Sequence, residues 1–148
     1  MLTYHRKHTE DKDQVALRGA TLDAAGRCVA AAATGQMATG ITLHADDRGQ
    51  LAFEIAGLGW RATDPAIVAA GTMARSLQED PFDVEQIAAI AAIMLKLKNE
   101  AFPVLAAAIA LIARERAVVE ELAEALIARK RLDAAELQQA LRSVEVRQ

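Results

Sequence analysis

From Gln14 onward apolar side chains recur at helical spacing, and the places where that spacing stops divide the chain into elements. Val15–Thr34 predicts a first helix, or a helix pair broken near Gly19, with Gly35 where a C-cap is expected. Within it the stretch Thr21–Thr34, TLDAAGRCVAAAAT, carries only two charged side chains, Asp23 and Arg27. They are four residues apart, on one helical face about a turn from each other. Ile41-Thr-Leu-His44 then alternates as a short strand does. Ala45–Gln50 has the composition of a turn, and Leu51–Ile55 returns as the hairpin partner. Gly57 and Gly59 make the next stretch a loop holding the single tryptophan, Trp60.

Asp64-Pro65 predicts a helix start, with Asp64 as N-cap and Pro65 at the first helical position, running to about Leu77. Asp80-Pro81-Phe82 breaks it, and Asp83 opens another helix through about Lys98. Pro103 is expected to open a helix of about 27 residues to Arg129, roughly 40 Å long. Its nearly all-apolar first half is expected in the core. Its second half is amphipathic, with Val118, Leu122 and Leu126 inward. After the turn Lys130-Arg-Leu132, Asp133-Ala-Ala-Glu136 is a capping box for a last helix through about Arg142. Residues 1–13 are polar, carry His5 and His8, and are expected to form an N-terminal arm. The pattern therefore predicts a mostly α (α+β) fold. It is a compact helical bundle with one small β-hairpin or short sheet, in a single domain over residues 14–148.

Composition narrows the function classes. At 148 residues, 53% hydrophobic and 25% charged, the chain has the make-up of one globular domain. Much of the apolar share is alanine, which points to closely packed helices. A net charge of −3 and a pI of about 5.6 provide no basic field for nucleic acid. A single cysteine, Cys28, excludes an internal disulfide framework and fits a reducing cytoplasm. The first residues, MLTYHRKHTEDKDQ, are too polar for a signal peptide or anchor. The longest strictly apolar run, Val104–Ala113, is about half of what a bilayer crossing needs. A soluble protein without membrane insertion is the expectation.

Three stretches together carry a family resemblance. Leu22-Asp-Ala-Ala-Gly-Arg-Cys-Val-Ala-Ala31, followed by Gly35 and the strand Ile41–Leu43, is similar to H-E-A-G-H-A-V-V-A with its glycine and short strand. Ile67-Val-Ala-Ala-Gly-Thr-Met-Ala-Arg75 resembles a glycine- and alanine-rich helix, and Asp83-Val-Glu-Gln-Ile-Ala88 the D-L-x-x-A-T segment behind it. Leu122–Leu137 resembles L-A-x-x-L-L-x-x-x-T-L-x-x-x-E-I. In this order they look like the peptidase domain of FtsH-type ATP-dependent zinc metalloproteases, over about residues 14–142. The resemblance implies an FtsH-peptidase-like helical domain. No G-x-x-x-x-G-K-[ST] loop accompanies it, so a stand-alone peptidase-like domain without the family's motor is expected.

The departures fall on the chemistry. In the family this helix supplies two neutral imidazoles to zinc, and the glutamate between them activates the bound water. The resemblance places Asp23 at the first histidine, Ala24 at the glutamate and Arg27 at the second histidine, with Asp83 at the third ligand. Ala24 accepts no proton, and a guanidinium has no lone pair for a metal and repels a cation. The expectation is a domain with no catalytic residue and no metal or cofactor. In it Arg27 would pair with Asp83, and with Asp23, where the zinc would sit. The competing reading of Asp23 and Arg27 is an ordinary exposed i,i+4 pair.

Other residues change this little. His5 and His8 form an H-x-x-H with no acidic or cysteine partner in useful spacing nearby, and His44 flanks a turn beside Asp46 and Asp47. Any residual metal binding would have to use these three imidazoles. Cys28 adjoins Arg27, which lowers a thiol pKa, but no histidine lies at helical spacing to activate it, so a small buried helix residue is expected. The leading reading is a protein- or peptide-binding or assembly module. Ile41, Leu43 and His44 form a groove edge that accepts an extended peptide by strand addition. The family's peptidase domains assemble into rings, so a homo-oligomer is a further expectation. Two alternatives stand beside it: a zinc metallopeptidase using Asp83 with displaced ligands such as His44 or His5, and a helical regulatory protein unrelated to peptidases.

Overall fold

The alanine-rich helix is the axis on which the other elements pack. The computed structural model describes residues 2–78, 84–144 and 146, with side chains described from residue 14 onward. Helix α1 (Leu2–Ala33) is followed by β1 (Gly40–Ala45), β2 (Leu51–Ala56), a 3-10 turn (Gly59–Thr63) and α2 (Pro65–Ala74). Then come a 3-10 turn (Arg75–Leu77), α3 (Val84–Leu97), a second such turn (Lys98–Glu100), α4 (Ala101–Arg114) and α5 (Arg116–Arg129). Strand β3 (Arg131–Asp133) and α6 (Ala134–Leu141) close the order. The architecture is mostly helical, with a small three-stranded antiparallel sheet in the order β2-β1-β3. No described helix is long and apolar enough to cross a membrane.

Small side chains set the packing. Leu22, Ala24, Ala25, Cys28, Val29 and Ala31 of α1 are fully buried, against α2 on one side and α5 on another. Helix α2 is in turn packed between α1 and α4. Where α1 and α2 cross, each contributes a glycine. A Cβ on Gly26 would stand 2.6 Å from Ala74 Cβ and 2.8 Å from the Ala70 carbonyl oxygen, closer than atoms pack. Alanine and glycine let the two backbones approach, so the core is closed by helix proximity more than by large side chains.

Several elements start and stop where the residues require. Gly35, at φ +85°, ends α1, and the N–H groups of Gly35 and Gln36 donate to Ala32 and Ala31 carbonyls. Asp64 caps α2 by accepting from the Ala66 N–H at 3.0 Å, with Pro65 at the first helical position. Asp133 and Glu136 make the expected capping box of α6. The hairpin pairs Ile41 with Ile55 and Leu43 with Phe53.

Other expectations are corrected. Helix α1 runs unbroken through Gly19, and residues 2–13, expected as an arm, carry helical backbone continuous with it. The single long helix expected from Pro103 begins two residues earlier and is divided at Glu115 (φ −103°, ψ 22°), where α4 against α2 gives way to α5 against α1. The apolar first half is not all core: only Ala101, Ala108 and Ile112 of α4 are buried. A helix that is apolar on every side can bury only the side that meets a neighbour. In α5 Val119, Leu122 and Leu126 are buried, and Val118 is partly buried against the same core, as expected. The turn after α5 contains a third strand. Lys130 at φ 67° redirects the chain so that Arg131–Asp133 pair with Thr42–Gly40.

Candidate functional site

Asp23 is the one carboxylate of the apolar part of α1, and its side chain is 8% exposed. A charge so placed requires partners. It has two, from different elements. The Nε–H of Arg27, one turn further along α1, donates to Asp23 Oδ1 at 2.7 Å. The Nε–H of Arg75 donates to Asp23 Oδ2 at 2.8 Å, across a separation of 52 residues. Arg75 follows directly on α2, where the helix tightens into the 3-10 turn Arg75–Leu77, and is itself buried. Its Nη2 lies 3.3 Å from Glu85 Oε2 in the first turn of α3.

The sequence Arg27–Asp23–Arg75–Glu85 is thus a chain of alternating charges joining α1, α2 and α3. Arg27 also holds its guanidinium carbon 5.4 Å from the Phe53 ring centroid, a cation–π contact that adds β2 to the cluster. The entry of α3 is fastened beside it: Gln86 Nε2 donates to the Thr72 carbonyl at 3.0 Å and to Ser76 Oγ at 2.6 Å. Gly71 of α2 lies over the Asp23–Arg27 pair, where any Cβ would overlap Asp23 Oδ1. The glycine of this helix is required by contact with the ion pair.

The expected positions are distributed as follows. Asp23 and Arg27 are brought together, in a partly buried pair and not an ordinary exposed one. Ala24 is fully buried and provides no proton acceptor. Asp83 lies outside the described residues, and so do the side chains of His5 and His8. The cation that reaches Asp23 from a second helix is Arg75. Ile41 and Leu43 are buried beneath β1, which is the middle strand, so the groove edge expected at Ile41–His44 is corrected. The outer strand is β2. His44 is exposed, with its Nε2 3.8 Å from Glu54 Oε1. Cys28 is fully buried, and desolvation pushes its thiol up to about 12 against the opposing effect of Arg27. Among the described residues no three His, Cys, Asp or Glu side chains converge at metal-binding range.

The chemistry open to this arrangement follows. Both oxygens of Asp23 accept a guanidinium N–H, and two permanent positive charges lie within hydrogen-bonding distance of them. A divalent cation placed there would meet repulsion from both. A cleft of about 540 Å³ lies between the end of α1 and α6, lined by Met37, Gln138 and Arg142 among others.

Sequence reasoning did not single out Arg75, Glu85, Gly71 or Phe53. A signal for Arg75 was present: residues 66–74 carry no charge, so Arg75 is a lone cation ending an apolar helix, as Asp23 is a lone anion within one. Comparison with protein-family models, with curated proteins and with solved structures finds no match.

Proposed function

We propose that this chain is a catalytically inactive zinc-peptidase-like domain working as a protein- or peptide-binding or assembly module. One observation carries the reading: Asp23, which the resemblance sets at the first histidine of a zincin helix, is clamped between Arg27 and Arg75. A zinc ion would join these elements electrostatically; in this reading two guanidiniums and a carboxylate take that part. Ala24 leaves no general base beside them. The open side of β2 offers backbone groups for strand addition, a mode of binding that needs no catalysis. A single buried thiol accords with a reducing compartment, the cytoplasm.

The test is the zinc content of untagged protein purified without chelator. Zinc far below one per chain is the expected result. Close to one zinc per chain would overturn the reading and direct attention to Asp83 and His44 as ligands, with a proteolysis assay to follow.

A further inference from the structure

Among the described residues, most of the exposed large apolar side chains lie on α3 and α4. These helices are consecutive, joined by one 3-10 turn, and packed against each other and against α2. Val84, Ile87, Met94 and Leu95 of α3 and Phe102 and Ile109 of α4 are each more than half exposed. Taking roughly 200 Å² for a side chain of this size, the six leave on the order of 800 Å² of apolar surface open. Summed over the two helices, that is about what each partner contributes to a stable interface.

On α3 the exposed residues form a stripe. Val84, Ile87, Ala88, Ala91, Met94 and Leu95 recur at three- and four-residue spacing, the seam pattern of paired helices. The stripe itself contains no charge, and Ala88 and Ala91 near its middle permit close approach. Its flank is polarised: Glu85 stands at the start of the helix and Lys96 at its end, on the same side of the stripe. A parallel copy would set Glu85 beside Glu85 and Lys96 beside Lys96. An antiparallel copy sets each Glu85 beside the other's Lys96.

We infer that α3 packs against α3 of a second copy of this chain, antiparallel about a two-fold axis passing at Ala91. In that register Ala91 meets Ala91 of the other copy, Ile87 meets Leu95, and Met94 lies over Ala88. The contact is isologous, so each side chain's partner is supplied twice. Phe102 and Ile109 add exposed apolar side chains on the neighbouring α4. The inference names the partner left open by the assembly reading and fails separately from it: zinc uptake would overturn the ion clamp and leave this interface standing.

The experiment is solution mass by light scattering across micromolar concentrations, on the parent and a set of variants. The parent should show twice the chain mass, and Leu95→Asp the monomer mass with an unchanged helical circular dichroism spectrum. Ala91→Cys should yield a disulfide-linked dimer on mild oxidation, whereas Ala117→Cys, exposed on α5, should not. Lys96→Glu should weaken the dimer at least tenfold. A parent monomeric throughout, a dimer indifferent to Leu95→Asp, or failure of Ala91→Cys to cross-link would each overturn the inference. Binding of a different protein at this face by a monomeric parent would do so as well.

Discussion

Gly71 of α2 lies directly over Asp23 of α1. A Cβ at position 71 would overlap Asp23 Oδ1 and stand 2.7 Å from Arg27 Cγ and 2.8 Å from Arg27 Nε. The backbone of one helix is therefore in contact with the ion pair of another, and that contact exists only because residue 71 has no side chain.

Gly71→Ala should destabilise the fold by about 1–3 kcal/mol or more, since the obstructing atoms belong to a hydrogen-bonded pair with little freedom to move. Gly26→Ala should act similarly through Ala70 and Ala74. Gly49→Ala, where a Cβ meets nothing within 4 Å, should cost only its left-handed backbone, about 1 kcal/mol. Urea denaturation of the three variants checks the order.

Removing Asp23 leaves two guanidiniums facing each other in a mostly apolar setting. Asp23→Ala should cost about 3–5 kcal/mol. Arg75→Met, whose side chain is 9% exposed in the parent, should cost more than Arg27→Met, whose side chain is 25% exposed and can recover some hydration. An Arg27→Met protein more strongly destabilised than Arg75→Met in denaturant titrations would reverse this assignment.

Cys28 links stability to alkaline pH. Its thiol is held at about 12 in the fold against an ordinary value of 9.0, because burial disfavours the thiolate. Below the lower value both states keep the proton and the group is silent. Between the two values only the unfolded chain loses it, so stability falls as pH rises, by up to about 1.4 kcal/mol per pH unit. Cys28→Ala should remove that part of the slope. In the parent at neutral pH, iodoacetamide should modify Cys28 only at the rate of unfolding.

Lys130 ends α5 in a left-handed conformation that costs a residue with a Cβ about 1 kcal/mol. Lys130→Gly should raise stability by up to that amount, whereas Asp133→Ala should lower it by about 1 kcal/mol through loss of the α6 cap. Thermal melts of the two single variants should shift in opposite directions.

Local chemistry was sufficient for much of this structure. Gly35, Asp64-Pro65 and Asp133–Glu136 determine helix ends through interactions within a few residues, and the β1–β2 hairpin follows from alternation around a turn. The Asp23–Arg27 pair was equally legible, because helical geometry alone brings residues four apart together. The tertiary structure decided everything that depends on which faces meet. An all-apolar helix such as α4 has no periodic mark of its buried side, so the division at Glu115 and the exposure of Phe102 and Ile109 appear only when α2 takes one side. The central place of β1 depends on Arg131–Asp133, distant in sequence and too short to announce themselves as a strand. Arg75 became the second cation on Asp23 only through the crossing of α1 and α2. A buried charge shows in sequence that it needs a partner; the packing of the helices chooses which one.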